Sequence, residues 1–178
     1  MEMHQRVAIR KATQADLDAI NEIYNHAVLN TTATFQIEPI TAAERAAWFD
    51  DHPENIHPVF VAESGGRVLG WGSLSRYHSR CAYKFSVEDS IYISADHRRN
   101  GIGSVLLGRL MQAARDLGHR TVIAQIADHN GPSIRLHEKC GFRTVGELTQ
   151  VGCKFGRWLD VTIMQNLIGE AGAGMEAL

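Results

Sequence analysis

Glu88-Asp89-Ser90-Ile91-Tyr92-Ile93-Ser94 reads as a central β-strand, and the turn beyond it, Arg98-Arg99-Asn100-Gly101-Ile102-Gly103, opens a helix. Ile102, Leu106, Leu110, Ala113 and Leu117 fall on one face of that helix. A strand that feeds a glycine-containing turn at a helix start makes an anion site. The N–H groups of a first helical turn have no intrahelical partner, the helix dipole adds partial positive charge, and glycine lets a phosphate approach the backbone. Arg98 and Arg99 add full charges nearby. The turn is not a P-loop, which needs G-x-x-x-x-G-K-[ST], nor a dinucleotide fingerprint, whose third glycine is replaced by Leu106. A bare G-x-G also serves ordinary strand-to-helix packing, so the meaning of this turn depends on its company.

Working outward, residues 7–10 read as a short strand, and Thr13 with Asp16 three residues later caps a helix carrying Leu17, Ile20, Ile23, Tyr24, Ala27 and Val28 at helical spacing. Residues 30–34 break that helix. Thr41 and Glu44 form a capping box for a second short helix that ends before Pro53. Residues 59–62 and 68–74 are apolar runs joined across Gly65-Gly66, a hairpin, and residues 76–84 are polar and irregular. Gly118 stops the long helix, residues 121–127 are β-rich, and 128–132 turn into a helix reaching about Cys140. Residues 145–151 and 158–164 make a closing pair of strands. Hairpins mixed with helical crossovers predict an α/β domain (α+β mixed) whose mixed sheet carries helices on both faces.

At 178 residues, with 44% hydrophobic and 21% charged, the chain fits one domain over residues 1–168, and the patternless residues 169–178 read as a loose tail. A net charge of -2 without a Lys/Arg run argues against nucleic acid as a partner. Cys81, Cys140 and Cys153 form neither an even disulfide set nor a C-x-x-C pair, and none carries a Cys-His nucleophile signature. Residues 1–6 lack the apolar core of a signal peptide, and no apolar run is long enough to span a bilayer. The expectation is a cytoplasmic protein that does not enter membranes. His52, His57, His97, His119 and His129 have no zinc-ligand spacing, so no metal is expected.

The turn has company. Arg-x-x-Gly-x-Gly after one strand, with Asn130-x-x-Ser133-x-x-x-His137-x-x-x-Gly141-Phe142 after the next, resembles the two cofactor motifs of the GNAT superfamily of acetyltransferases. The resemblance implies a GNAT fold, with a mostly antiparallel central sheet and a splayed central strand pair, and acetyl-CoA as cosubstrate. It assigns acetyl-CoA to Ile91, Tyr92 and Ile93, to the turn Arg98, Arg99, Asn100, Gly101, Ile102, Gly103 and Ser104, and to Asn130 and Ser133. Acetyl transfer to an amine needs an uncharged amine, a placed thioester, oxyanion stabilisation and a proton for the departing thiolate. Glu88, at the head of the strand, is the expected general base, with Asp89 the alternative because one residue of register reverses the face. His137 stands where many GNAT enzymes have a tyrosine that protonates the thiolate. An imidazole of pKa about 6.5 could donate that proton or orient a water, although a single helical histidine also serves structure.

A narrower similarity, over residues 9–167, is to the phosphinothricin and methionine sulfoximine/sulfone N-acetyltransferases. It is carried by Asn30-Thr31-Thr32-Ala33, Trp48-Phe49, Ser90-Ile91-Tyr92-Ile93, Leu136-His137-Glu138-Lys139 and Val151-Gly152-Cys153-Lys154-Phe155-Gly156-Arg157-Trp158-Leu159-Asp160. It implies a homodimer that acetylates the α-amino group of a small amino-acid analogue. Such an acceptor carries a carboxylate, so Arg76 is expected to clamp it, with Tyr77, His78, Thr31, Phe35 and Glu88 around it. Lys154 and Trp158 are further pocket candidates, and Trp158 and Phe155 serve equally as core or dimer contacts. Two rivals share the fold: a protein N-terminal or lysine acetyltransferase, and a non-catalytic acyl-CoA-binding module.

Overall fold

The computed structural model describes residues 7–168. Alternation along β2 (Val59–Ser64) decides which helices cover which face of the sheet. Phe60 and Ala62 join the core beneath α3 (Ile102–Asp116), whereas Val59 and Val61 pack with Ile20 of α1 (Leu17–Asn30) and Trp48 of α2 (Ala42–Asp50). A strand segment buried on both faces needs apolar residues at every position, and Val59 to Ala62 supply them before β2 runs out to Glu63 and Ser64. β2 turns back into β3 (Arg67–Arg76) through Gly65 and Gly66, with φ of 57° and 75°, the left-handed pair that a two-residue hairpin turn requires.

β1 (Ala8–Lys11), β4 (Ser86–Ile93), β5 (Thr121–Ala127), β6 (Arg143–Lys154) and β7 (Arg157–Leu167) complete a seven-stranded sheet in the order β1-β2-β3-β4-β5-β7-β6. Every neighbouring pair is antiparallel except β4 with β5. α4 (Gly131–Lys139) joins α3 on one face through Ile134 and Leu136. The expected mixed sheet with helices on both faces is therefore present. Both expected caps form as well: Thr13 and Asp16 precede α1, and Thr41 and Glu44 bond reciprocally at the head of α2. Asp16 also pairs with Arg10 at 2.8 Å, and that hydrogen bond holds its carboxyl down at about 2.

The closing strands run longer than residues 145–151 and 158–164. Gly152 and Gly156 read as the separators of the two strands; Gly156 does sit in the turn, but Gly152 lies within β6, where register shifts before Gly146 and before Gly152 let the strand bulge and carry on pairing with β7. Of the stretch 76–84, Arg76 still belongs to β3, and residues 77–84 are irregular apart from a 3-10 turn at Cys81–Tyr83. The tail expected at 169–178 lies outside the described residues. Among those described, no helix is long and apolar enough to cross a membrane.

Candidate active site

The parallel contact between β4 and β5 lasts three residue pairs, Ser86 with Thr121, Val87 with Val122 and Glu88 with Ile123. Beyond Glu88 the strands part. β4 continues along β3 to the Ile93–Gly70 pair while β5 follows β7 to the Ala127–Val161 pair, opening a wedge in the middle of the sheet. Backbone alternation says what faces it. The Ser94 N–H donates to the Leu69 carbonyl and the Phe85 carbonyl accepts from Arg120, so even-numbered residues of β4 bond β3 and odd-numbered ones face β5. The N–H groups of Ile91 and Ile93 thus point into a gap where β5 no longer answers them. Such fixed, unpaired donors suit a thioester carbonyl and an amide-bearing arm.

The wedge is the floor of a cleft of about 1110 Å³. At one end stands the turn before α3, with Gly101 as N-cap at φ 80° and Arg99 also left-handed at φ 64°. Gly103 lines the cleft, and a Cβ there would come within 3.1 Å of the Leu136 side chain, so bare backbone faces the opening. Arg98, Arg99, Gly101 and Ser104 line the same end, beside Asn130 and Ser133 at the head of α4. Asn130 accepts from the Ser133 N–H at 3.3 Å, which caps α4. Two expected cofactor residues stand apart: Ile102 turns its side chain into the core under α3, and Asn100 lies on the exposed turn away from the lining. The first-turn N–H groups, the glycine and the arginines together fit the pyrophosphate of coenzyme A.

Glu88 and Asp89 occupy opposite faces. Glu88 shares its face with Ser90 and Tyr92 and accepts a hydrogen bond from Gln125 Nε2 at 2.9 Å. Burial raises its pKa, partly offset by that hydrogen bond. Asp89 points the other way and is buried against His137, whose Nε2 stands 3.0 Å from Oδ2, while His137 Nδ1 lies 2.8 Å from the Ser133 carbonyl. Both ring nitrogens face acceptors, which favours the imidazolium. Burial would depress its pKa, but the hydrogen bond and charge of Asp89 with the Ser133 carbonyl outweigh it and raise the value. The expectation that His137 protonates the thiolate therefore meets a ring with no free nitrogen, although the residue does line the cleft.

Thr31 and Phe35 also line the cleft. Their segment is pinned by the buried Lys154, whose ammonium donates to the Thr34 carbonyl at 2.8 Å, and by Thr32, which donates to Asp128 at 3.0 Å. Arg76, Tyr77 and His78 correct the expectation. Arg76 pairs with Val87 at the closed end of the wedge, and Tyr77 and His78 pack on Tyr83 at 5.7 and 4.8 Å between ring centroids; none lines the cleft. Sequence adjacency to β4 suggested them, but antiparallel register carries the end of β3 away from the splay. Gln125 is the residue the sequence reading passed over, and its signal was a single amide in the apolar run Thr121–Ala127.

The Acetyltransferase (GNAT) family matches residues 20–142. An L-amino acid N-acyltransferase of Escherichia coli is 42% identical over 164 residues, covering 92% of this chain and 95% of that protein. A phosphinothricin N-acetyltransferase of Streptomyces viridochromogenes is 38% identical, covering 89% and 86%. An acetyltransferase of Salmonella typhimurium solved with acetyl-CoA superposes at a TM-score of 0.90 with 41% identity, covering 94% and 96%. A phosphinothricin acetyltransferase of Sinorhizobium meliloti, in complex with the same cosubstrate, gives 0.90 and 39%, covering 97% of each chain. An anion-binding turn, a splayed strand pair and these likenesses lead to one conclusion: the chain belongs to the GNAT family and is an acetyl-CoA-dependent N-acetyltransferase.

Proposed function

We propose that the enzyme acetylates the α-amino group of a small amino-acid analogue of the methionine sulfone, methionine sulfoximine or phosphinothricin type, with Glu88 as general base. The observation that carries this reading is the position of Glu88 at the apex of the wedge, where β4 leaves β5 and unpaired backbone donors begin. Acetyl-CoA supplies the activated acyl group. The chain supplies the rest: Glu88 takes a proton from the ammonium, the Ile91 and Ile93 N–H groups stabilise the oxyanion, and the wedge aligns the two reactants. His137, fixed by Asp89, holds α4 against β4, and a water supplies the proton to the thiolate. The 31–36 segment, pinned by Lys154, walls the acceptor side, which favours a small acceptor over an open peptide groove.

Two further parts belong to the same reading. Val145, Val151, Phe155 and Trp158 are exposed on the β6–β7 hairpin, which supports a homodimer built on that face. Three unpaired cysteines support a cytoplasmic setting. The deciding experiment is an acetyl-CoA consumption screen across amino acids, their sulfones and sulfoximines, polyamines and peptides. Turnover confined to the amino-acid analogues is expected; turnover confined to peptides, or coenzyme binding without turnover, would transfer the assignment to one of the rivals. Light scattering at micromolar concentration should give a dimer that Trp158→Glu dissociates.

A further inference from the structure

On the α1–α2 side of the sheet a second cavity, of about 400 Å³, adjoins the cleft, and Ser90 and Tyr92 line both. Tyr24, Trp48 and Trp71 make its walls, and Arg45 enters from α2 between them. The guanidinium carbon sits 4.7 Å from the Tyr24 ring centroid, 4.6 Å from Trp48 and 5.3 Å from Trp71. Arg45 is 2% exposed, Trp71 2% and Ser73 1%. Each of these three cavity residues has a buried polar atom without a partner: Arg45 Nη2, Trp71 Nε1 and Ser73 Oγ. Among the described residues Arg45 makes no ion pair, and its one side-chain bond is a long one, 3.4 Å, from Nε to Asn21. The neighbouring Glu44 is committed to capping Thr41.

Cation–π contacts recover only part of what a guanidinium loses on leaving water, and they leave its N–H groups unanswered. Three orphaned donors converging on one cavity therefore ask for an anionic acceptor. We propose that Arg45, Trp71 and Ser73 form the receptor for the carboxylate of the acceptor amino acid. The proposal rests on the small-acceptor reading of the cleft. A carboxylate suits the site because a sulfone or sulfoximine carries no full charge, whereas the carboxylate does and is common to every amino-acid acceptor. The spacing suits it as well. Ser73 pairs with Ser90, and Glu88 lies two residues farther on the same face, about 7 Å away. One amino acid can span that interval with a hydrogen bond of about 3 Å at each end, its amine toward Glu88 and its carboxylate toward Arg45.

The test compares kcat/KM for methionine sulfone with that for 3-(methylsulfonyl)propylamine, the same molecule without its carboxylate. Wild type should prefer the amino acid, and Arg45→Gln should shrink that preference by about 10- to 100-fold, mainly through KM. Ser73→Ala should shrink it less and serves as the second variant should Arg45→Gln fail to fold. An unchanged preference in a folded variant would overturn the proposal. Titration with sodium propionate, followed by the fluorescence of Trp48 and Trp71, reads the receptor without turnover. A saturable change in wild type that disappears in Arg45→Gln is expected, and no saturable change overturns the proposal. If neither amine is acetylated, the reading of the acceptor class fails, and the propionate titration still decides the receptor.

Discussion

Glu88 lives between two opposing influences, burial that raises its pKa and the Gln125 amide that lowers it. Removing its proton acceptance with Glu88→Gln keeps size and hydrogen bonding, and kcat/KM for a fixed acceptor should fall by about 10²- to 10⁴-fold at neutral pH while coenzyme A affinity, read by calorimetry, persists. The deficit should narrow at high pH, where more of the amine is already uncharged. Gln125→Leu tests the other side. With the stabilising amide gone the carboxyl rises further, so the acidic limb of the kcat/KM profile should move to higher pH with the same acceptor. A limb that stays in place would mean that Glu88 is not the group being titrated. Gly103 belongs to this scale as well: Gly103→Val should weaken coenzyme A binding, because a branched side chain there would crowd Leu136 and cover the backbone that faces the cleft.

At the scale of the element, α4 is joined to β4 by one buried pair, His137 with Asp89. Asp89→Asn leaves an imidazolium without its counter-charge and should destabilise the fold by about 3 kcal/mol in urea melts at pH 6. The sign with pH follows from the raised folded value. The stabilisation is complete below the unfolded pKa of about 6.5 and is lost as pH rises through the folded one, so the variant should cost less at pH 9. This pair also marks the limit of what could be read in the sequence. Caps, hairpin glycines and helical stripes are local signals, and they delivered α1 to α4 and the strands nearly to their ends. The glycine turn before α3 was legible for the same reason, since Arg98 to Ser104 are contiguous. The alliance of Asp89 with His137 crosses 48 positions, Gln125 reaches Glu88 across 37, and Arg45 meets Trp71 and Ser73 only after α2 folds over the sheet. Which of Glu88 and Asp89 meets Gln125 and which meets His137 is set by the register of β4, which a sequence leaves free to slip by one residue.

For the whole molecule, pH acts through a different set of groups. Burial, then the neighbouring His52, His119 and Arg76, depress His57 to about 4, and burial lowers His52. The unfolded chain binds protons that these two refuse, so their contribution is complete above about pH 6.5 and is lost as pH falls toward 4. Stability should decline across that window in urea melts, and His57→Gln should flatten the decline; an unaltered slope would remove His57 from the account. The wedge has a consequence at this scale that isotope exchange can read. Since β4 pairs with β3 along its whole length but with β5 only as far as Glu88, successive amides of one strand belong to two populations. The amide protons of Ser90 and Tyr92, locked into the β3 ladder, should exchange with deuterium only when the sheet opens, while those of Ile91 and Ile93 exchange through the open gap. Bound acetyl-CoA would slow the second pair alone, so a deuterium profile that alternates residue by residue in the free enzyme and evens out on binding would report the cosubstrate acting as the missing stretch of neighbouring strand.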